Sequence, residues 1–92
     1  MNKYRIVLTS KFKKDLKTAK RRGYDLLLIK EVVEMLASGE PLSEKYKDHS
    51  LSGQYANLRE CHITPDWLLI YEIDNSEIIL YLTRTGTHSD LF

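Results

Sequence analysis

The apolar positions change period along the chain, and each change marks an element. YRIVLT (4–9) is apolar and β-branched with no breaker, which predicts a short strand. In TSKFKKDLKTAKRRG the apolar residues Phe12, Leu16 and Ala19 fall on one stripe at helical spacing. Thr9 or Ser10 can cap that helix and Gly23 ends it. YDLLLIKEVVEMLASG repeats the pattern with Leu28/Ile29, Val32/Val33 and Leu36, Asp25 as cap and Gly39 as stop. The short connection predicts a helical hairpin. EPLSEKYKDHSLSG (40–53) has Pro, Gly and Ser without a clean period and reads as a loop, long enough to be suspected of function. ANLRECHI, WLLIYEI and IILYLTR then read as three strands, parted by the turns TPD and DNSE. The order is β-α-α-β-β-β. It predicts one α+β domain over residues 1–92, a helical hairpin packed on a small, mainly antiparallel sheet.

Register carries the reading further. A two-residue loop at Asn75-Ser76 would set Asp74 opposite Glu77, Ile73 opposite Ile78, Tyr71 opposite Leu80 and Leu69 opposite Leu82. That face is wholly apolar and should meet the helices. Two steps on, Trp67 would face Arg84. The preceding hairpin, turning at Thr64-Pro65, would bring His62 beside Asp66 and Trp67. His88 and Phe92 follow Arg84 in the tail, and His49 lies in the loop before the meander. All three histidines of the chain are thus expected at one edge, with Asp66 and Arg84.

Composition changes this picture little: 42% of residues are apolar and 29% charged, as in an ordinary globular domain. The single cysteine, Cys61, cannot form an internal disulfide and fits a reducing cytosol. No secretory signal opens the chain, and its longest apolar run, LLLI, is far too short to span a bilayer, so a cytoplasmic protein without membrane contact is expected. Charge is informative. Residues 1–30 hold ten Lys/Arg against two Asp, and residues 31–92 hold four against eleven Asp/Glu. A basic lobe on a nearly neutral chain suits a polyanionic partner touched on one side, although a solvated helix face would look the same.

Each residue of the cluster also has a plain reading. A single histidine is more often a hydrogen-bonded surface residue than a catalyst. Arg84 over Trp67 would be an ordinary cation–π contact, Trp67 plain core, Phe92 a docked plug, and Tyr46 and Tyr55 packing or rim residues. Their coincidence at one edge is what the plain readings leave unexplained. RNA cleavage by its own 2′-hydroxyl needs a base for that hydroxyl, an acid for the departing 5′-oxygen and a cation for the charge on phosphorus. Histidine suits the proton work and arginine the phosphate. Trp67 and Phe92 could stack bases. Zinc on three His and one Asp is the competing chemistry, but HExxH, HxH and CxxC spacings are all absent, and no metal or cofactor is expected.

YKDHSLSG, RECHITPDWLLIY and RTGTHSDLF, taken together, resemble the YafQ branch of the RelE/ParE toxin superfamily, and the similarity runs along the whole chain. The resemblance implies a toxin of a type II toxin–antitoxin module that cuts mRNA in the ribosomal A site without a metal, leaving a 2′,3′-cyclic phosphate. It implies a DinJ-like, DNA-binding antitoxin as partner, with operator DNA reached only through that antitoxin. The family's functional positions fall on His49, His62, Asp66, Trp67, Arg84, His88 and Phe92. Arg84 would act on phosphate and His88 as the general acid, with His49, His62 and Asp66 competing for base and positioning. Phe92 would steady mRNA, and the basic lobe, with Lys11, Lys14, Lys17 and Arg21, would meet ribosomal RNA. The rival within the superfamily is a non-catalytic, ParE-like toxin that binds DNA gyrase.

Overall fold

The computed structural model describes residues 2–92. Strand β1 (Arg5–Leu8) leads into helices α1 (Ser10–Arg21) and α2 (Leu26–Ser38). A two-residue strand β2 (His49–Ser50) follows, then β3 (Arg59–Thr64), β4 (Trp67–Asp74), β5 (Ile79–Gly86) and a terminal helix α3 (His88–Leu91). The sheet order is β1-β5-β4-β3-β2, with β1 parallel to β5 and the other pairs antiparallel.

The helices start and stop where the side chains dictate. The Thr9 hydroxyl accepts from the Phe12 amide at 3.0 Å and donates to the Thr83 carbonyl at 2.8 Å, so one residue caps α1 and ties it to β5. Asp25 caps α2 through the Leu27 amide. Gly39 ends α2 at φ 83°, a left-handed conformation that favours glycine. Phe12, Ala19, Ile29, Val32 and Leu36 bury one face of the hairpin against Cys61, Leu69, Tyr71, Leu80 and Leu82. Phe12 is 1% exposed, and cutting it to alanine should cost about 3–5 kcal/mol. Leu28, expected on the buried stripe, is 37% exposed because the stripe runs through Ile29, Val32 and Leu36 and Leu28 lies one residue off it.

Three expectations need correction. The β4–β5 hairpin has a four-residue loop, with Asp74 opposite Ile79 and Ile73 opposite Leu80. The Asp74 carboxylate accepts from the amides of Ser76 (3.0 Å) and Glu77 (3.1 Å), which holds Asp74 at the strand end and forbids the tighter turn. A bulge between Ile70 and Tyr71 then sets Arg84 opposite Ile70, while Trp67 pairs with Thr64, so Trp67 does not face Arg84. The loop of residues 40–53 contains β2, which pairs His49 with Glu60. The tail ends in α3.

Strand alternation sorts the two sheet faces. Cys61, Ile63, Leu69 and Tyr71 join the core under the helices. Their neighbours Glu60, His62, Leu68 and Ile70 therefore belong to the opposite face.

Candidate active site

His62, Asp66 and His88 line one cavity of about 540 Å³, together with Tyr24 and Thr87. His62 comes from β3, where it pairs with Leu68. Asp66 is exposed on the β3–β4 turn. His88 opens α3, whose start is fixed by a reciprocal cap: the Thr87 hydroxyl accepts from the Asp90 amide, and the Asp90 carboxylate accepts from the Thr87 amide at 2.8 Å. Asp90 also takes a two-pronged bond from Arg22, the residue that caps the end of α1, at 2.6 and 3.1 Å. The Arg22 guanidinium, and next the Thr87 amide, hold the Asp90 carboxyl well below the usual carboxylate range. A Cβ on Gly86 would lie 3.0 Å from the Asp90 side chain, so glycine lets α3 fold back on β5. His88 is thus carried by a short helix bolted to α1.

His49 joins His62 through a residue that sequence reasoning missed. Glu60, 7% exposed, places Oε1 3.5 Å from His49 Nε2 and 3.7 Å from His62 Nε2. The two imidazole centroids are 6.5 Å apart. His49 Nδ1 lies 2.7 Å from the Lys47 carbonyl, an acceptor, so Nδ1 carries the proton and Nε2 is turned to Glu60. Asp48 anchors this segment: it accepts from Arg59 at 3.0 Å and from the hydroxyl of Tyr71. Burial first, and Asp48 second, raise the Tyr71 phenol far above its ordinary range, so it stays a donor.

Arg84 stands apart from the histidine cavity. Its Nε and Nη2 donate to the two oxygens of Asp15 in α1, at 2.7 and 3.1 Å, and the Thr85 amide donates to Asp15 at 3.1 Å. Asp15 raises the pKa of the guanidinium further above its ordinary value. Arg84 and Asp15 line a neighbouring cavity of about 270 Å³ that also holds Arg22, Tyr24 and Asp90. Asp15 was not among the expected site residues. In the sequence it is simply one polar residue on a basic helix.

Trp67 corrects the expectation of a base-stacking platform. It is 2% exposed, within the core, with its ring centroid 4.9 Å from that of Tyr24. A buried indole has no face to offer a nucleobase. Phe92 does: it is 47% exposed, edge-on to Tyr55 at 5.5 Å and stacked near His88 at 5.0 Å. Tyr46 and Tyr55 are half-buried. Lys11, Lys14, Lys17 and Arg21 are exposed on α1. Among the described residues no helix is long and apolar enough to cross a membrane, and no group of three or more His, Cys, Asp or Glu side chains is placed to hold a metal ion.

The family model "Bacterial toxin of type II toxin-antitoxin system, YafQ" matches residues 4–92. The mRNA interferase toxin YafQ of Escherichia coli K12 is 38% identical over 88 residues, covering 95% of this chain and 94% of that protein. YafQ in the crystal structure of the E. coli DinJ–YafQ toxin–antitoxin complex superposes with a TM-score of 0.90 at 36% identity, over 98% of each chain. A Helicobacter pylori toxin, solved in a metal-bound form, gives a TM-score of 0.90 at 48% identity over the whole of both chains.

Proposed function

The chain belongs to the YafQ family of type II toxin–antitoxin toxins, and from that premise we propose that it is a ribosome-dependent endoribonuclease that cuts mRNA in the A site. The observation that carries the reading is the cavity shared by His62, Asp66 and His88, beside a cavity that holds Arg84. At about 540 Å³ it lies within the usual range of ligand pockets.

In this mechanism His62 takes the proton of the ribose 2′-hydroxyl, and the 2′-oxygen forms a bond to phosphorus. The bond from phosphorus to the 5′-oxygen breaks, and His88 gives that oxygen its proton. The products are a 2′,3′-cyclic phosphate and a 5′-hydroxyl. Glu60 orients His62, as a carboxylate beside a catalytic imidazole does, and lies between that ring and His49. Distances of 3.5 and 3.7 Å suit a resting site that tightens when substrate binds. Asp66, exposed at the cavity mouth, positions the ribose. Arg84 supplies permanent charge for the phosphorane-like transition state. Phe92 steadies the mRNA, and Lys11, Lys14, Lys17 and Arg21 meet ribosomal RNA. The partner is a DinJ-like antitoxin, through which alone operator DNA is reached. The Helicobacter relative is described as metal-bound, but the described residues of this chain do not form a fitting ligand set, and no step runs through a metal.

The test is mRNA cleavage in a purified translation system with and without ribosomes, with EDTA present, comparing wild type with His88→Ala and Arg84→Ala. Cuts that need ribosomes, survive EDTA and fall by roughly a hundredfold or more in each variant are expected. Variants that cut as fast as wild type would remove His88 and Arg84 from their roles.

A further inference from the structure

Arg84 and His88 must act on the same phosphate, yet they border different cavities. Of the residues lining those two cavities, only Tyr24 lines both. Tyr24 sits at the turn between α1 and α2 and is half-buried. It also borders a third cavity, of about 270 Å³, with Asp66 and Trp67. Its ring leans on Trp67 at 55° and 4.9 Å. The indole behind it is held in the core and braces it.

We propose that Tyr24 is the platform on which a base next to the scissile phosphate stacks, so that the nucleotide chain crosses from the Arg84 cavity to the His62, Asp66 and His88 cavity over this ring. The proposal rests on the endoribonuclease reading and adds to it a substrate-contacting residue. A phosphate reached by Arg84 from one side and by His88 from the other lies at the seam between the two cavities. The flanking nucleotide then lies over whatever forms the seam. A phenol ring there offers the stacking surface by which proteins grip unpaired nucleotides. Trp67, fully covered, supports that surface without touching the base.

The test is a cycle between Tyr24 and the base. Programmed ribosomes carry mRNA with an abasic residue at the nucleotide on either side of the cut, and single-turnover cleavage is measured for wild type, Tyr24→Phe and Tyr24→Leu. One abasic position should slow wild type and Tyr24→Phe by about 5- to 150-fold. Tyr24→Leu should be slowed by a similar factor on normal mRNA and lose little more when the base is removed. Tyr24→Met, which keeps bulk against Trp67 without a ring, replaces Tyr24→Leu if that variant does not fold. Equal abasic effects in wild type and the ringless variant, or no abasic effect in wild type, would overturn the proposal. Failure of wild type to cut unmodified mRNA would instead overturn the endoribonuclease reading beneath it.

Discussion

Replacing Asp15 by asparagine separates the two things its carboxylate can do to Arg84, hold it in place or keep it from phosphate. Asp15 accepts three hydrogen bonds: two from the guanidinium and one from the Thr85 amide. The Asp15 side chain is 16% exposed and that of Arg84 31%, so the pair lies between surface and buried ion pairs. Asparagine keeps one acceptor but turns an amide NH₂ toward a donor. Loss of one charge-assisted bond with a partly buried guanidinium left unpaired should cost about 2 kcal/mol. For a domain of this length that lowers Tm by roughly 8–16 °C. Well below that Tm the folded variant can be assayed for mRNA cleavage on ribosomes. If Asp15 positions Arg84, the cleavage rate should fall roughly 10- to 100-fold, because a phosphate-binding group shifted by about an ångström loses much of its effect. Asp15→Glu should recover part of the rate. Asp15→Asn that cuts as fast as wild type, or faster, would refute a positioning role and make the carboxylate a brake on Arg84.

Glu60→Gln keeps the shape between His49 and His62 but removes the charge, and cleavage should fall about tenfold or more with folding retained; an unchanged rate would free the histidines from Glu60. The Asp90 carboxyl is depressed by Arg22 and Thr87, so the clamp on α3 contributes stability above the ordinary Asp range and loses it as pH falls through the depressed value. The Tm gap between wild type and Asp90→Asn should therefore be flat from about pH 5 to 8 and shrink below about pH 4. Cys61 is fully buried and its thiol is pushed up to about 12, chiefly by burial, so a thiol reagent at pH 8 should label it only after denaturation.

The hairpin of α1 and α2 was legible because its signals are local: Thr9, Asp25 and Gly39 cap or stop the helices as their side chains predict. The β4–β5 register was not. A shift of two residues leaves Ile73, Tyr71 and Leu69 on the same face, so the apolar pattern cannot tell a two-residue loop from a four-residue one. The bulge that separates Arg84 from Trp67 adds one residue and leaves no trace in the pattern. The expected convergence at one edge holds for His62, Asp66 and His88, which share a cavity, while Arg84 borders the next one and His49 reaches His62 only through Glu60. Asp15 looks like any polar residue of a basic helix. Glu60 had a usable signal, since it stands two residues before His62 in a strand and must share its face. The fragment Thr87-His-Ser-Asp90 is a capping motif, a signal for α3 that the β-α-α-β-β-β reading passed over. Trp67 misled because motif position says nothing about burial.

The claim that the 2′-hydroxyl attacks phosphorus under His62 and His88 is tested most directly by a single 2′-deoxy substitution at the nucleotide whose 2′-oxygen would attack. Ribosomes programmed with that mRNA should show no cut at this bond, while cuts at unmodified bonds persist and end in a 2′,3′-cyclic phosphate. Undiminished cleavage at the deoxy position, or a product ending in a 3′-hydroxyl, would mean that water attacks instead and that the two histidines have other work.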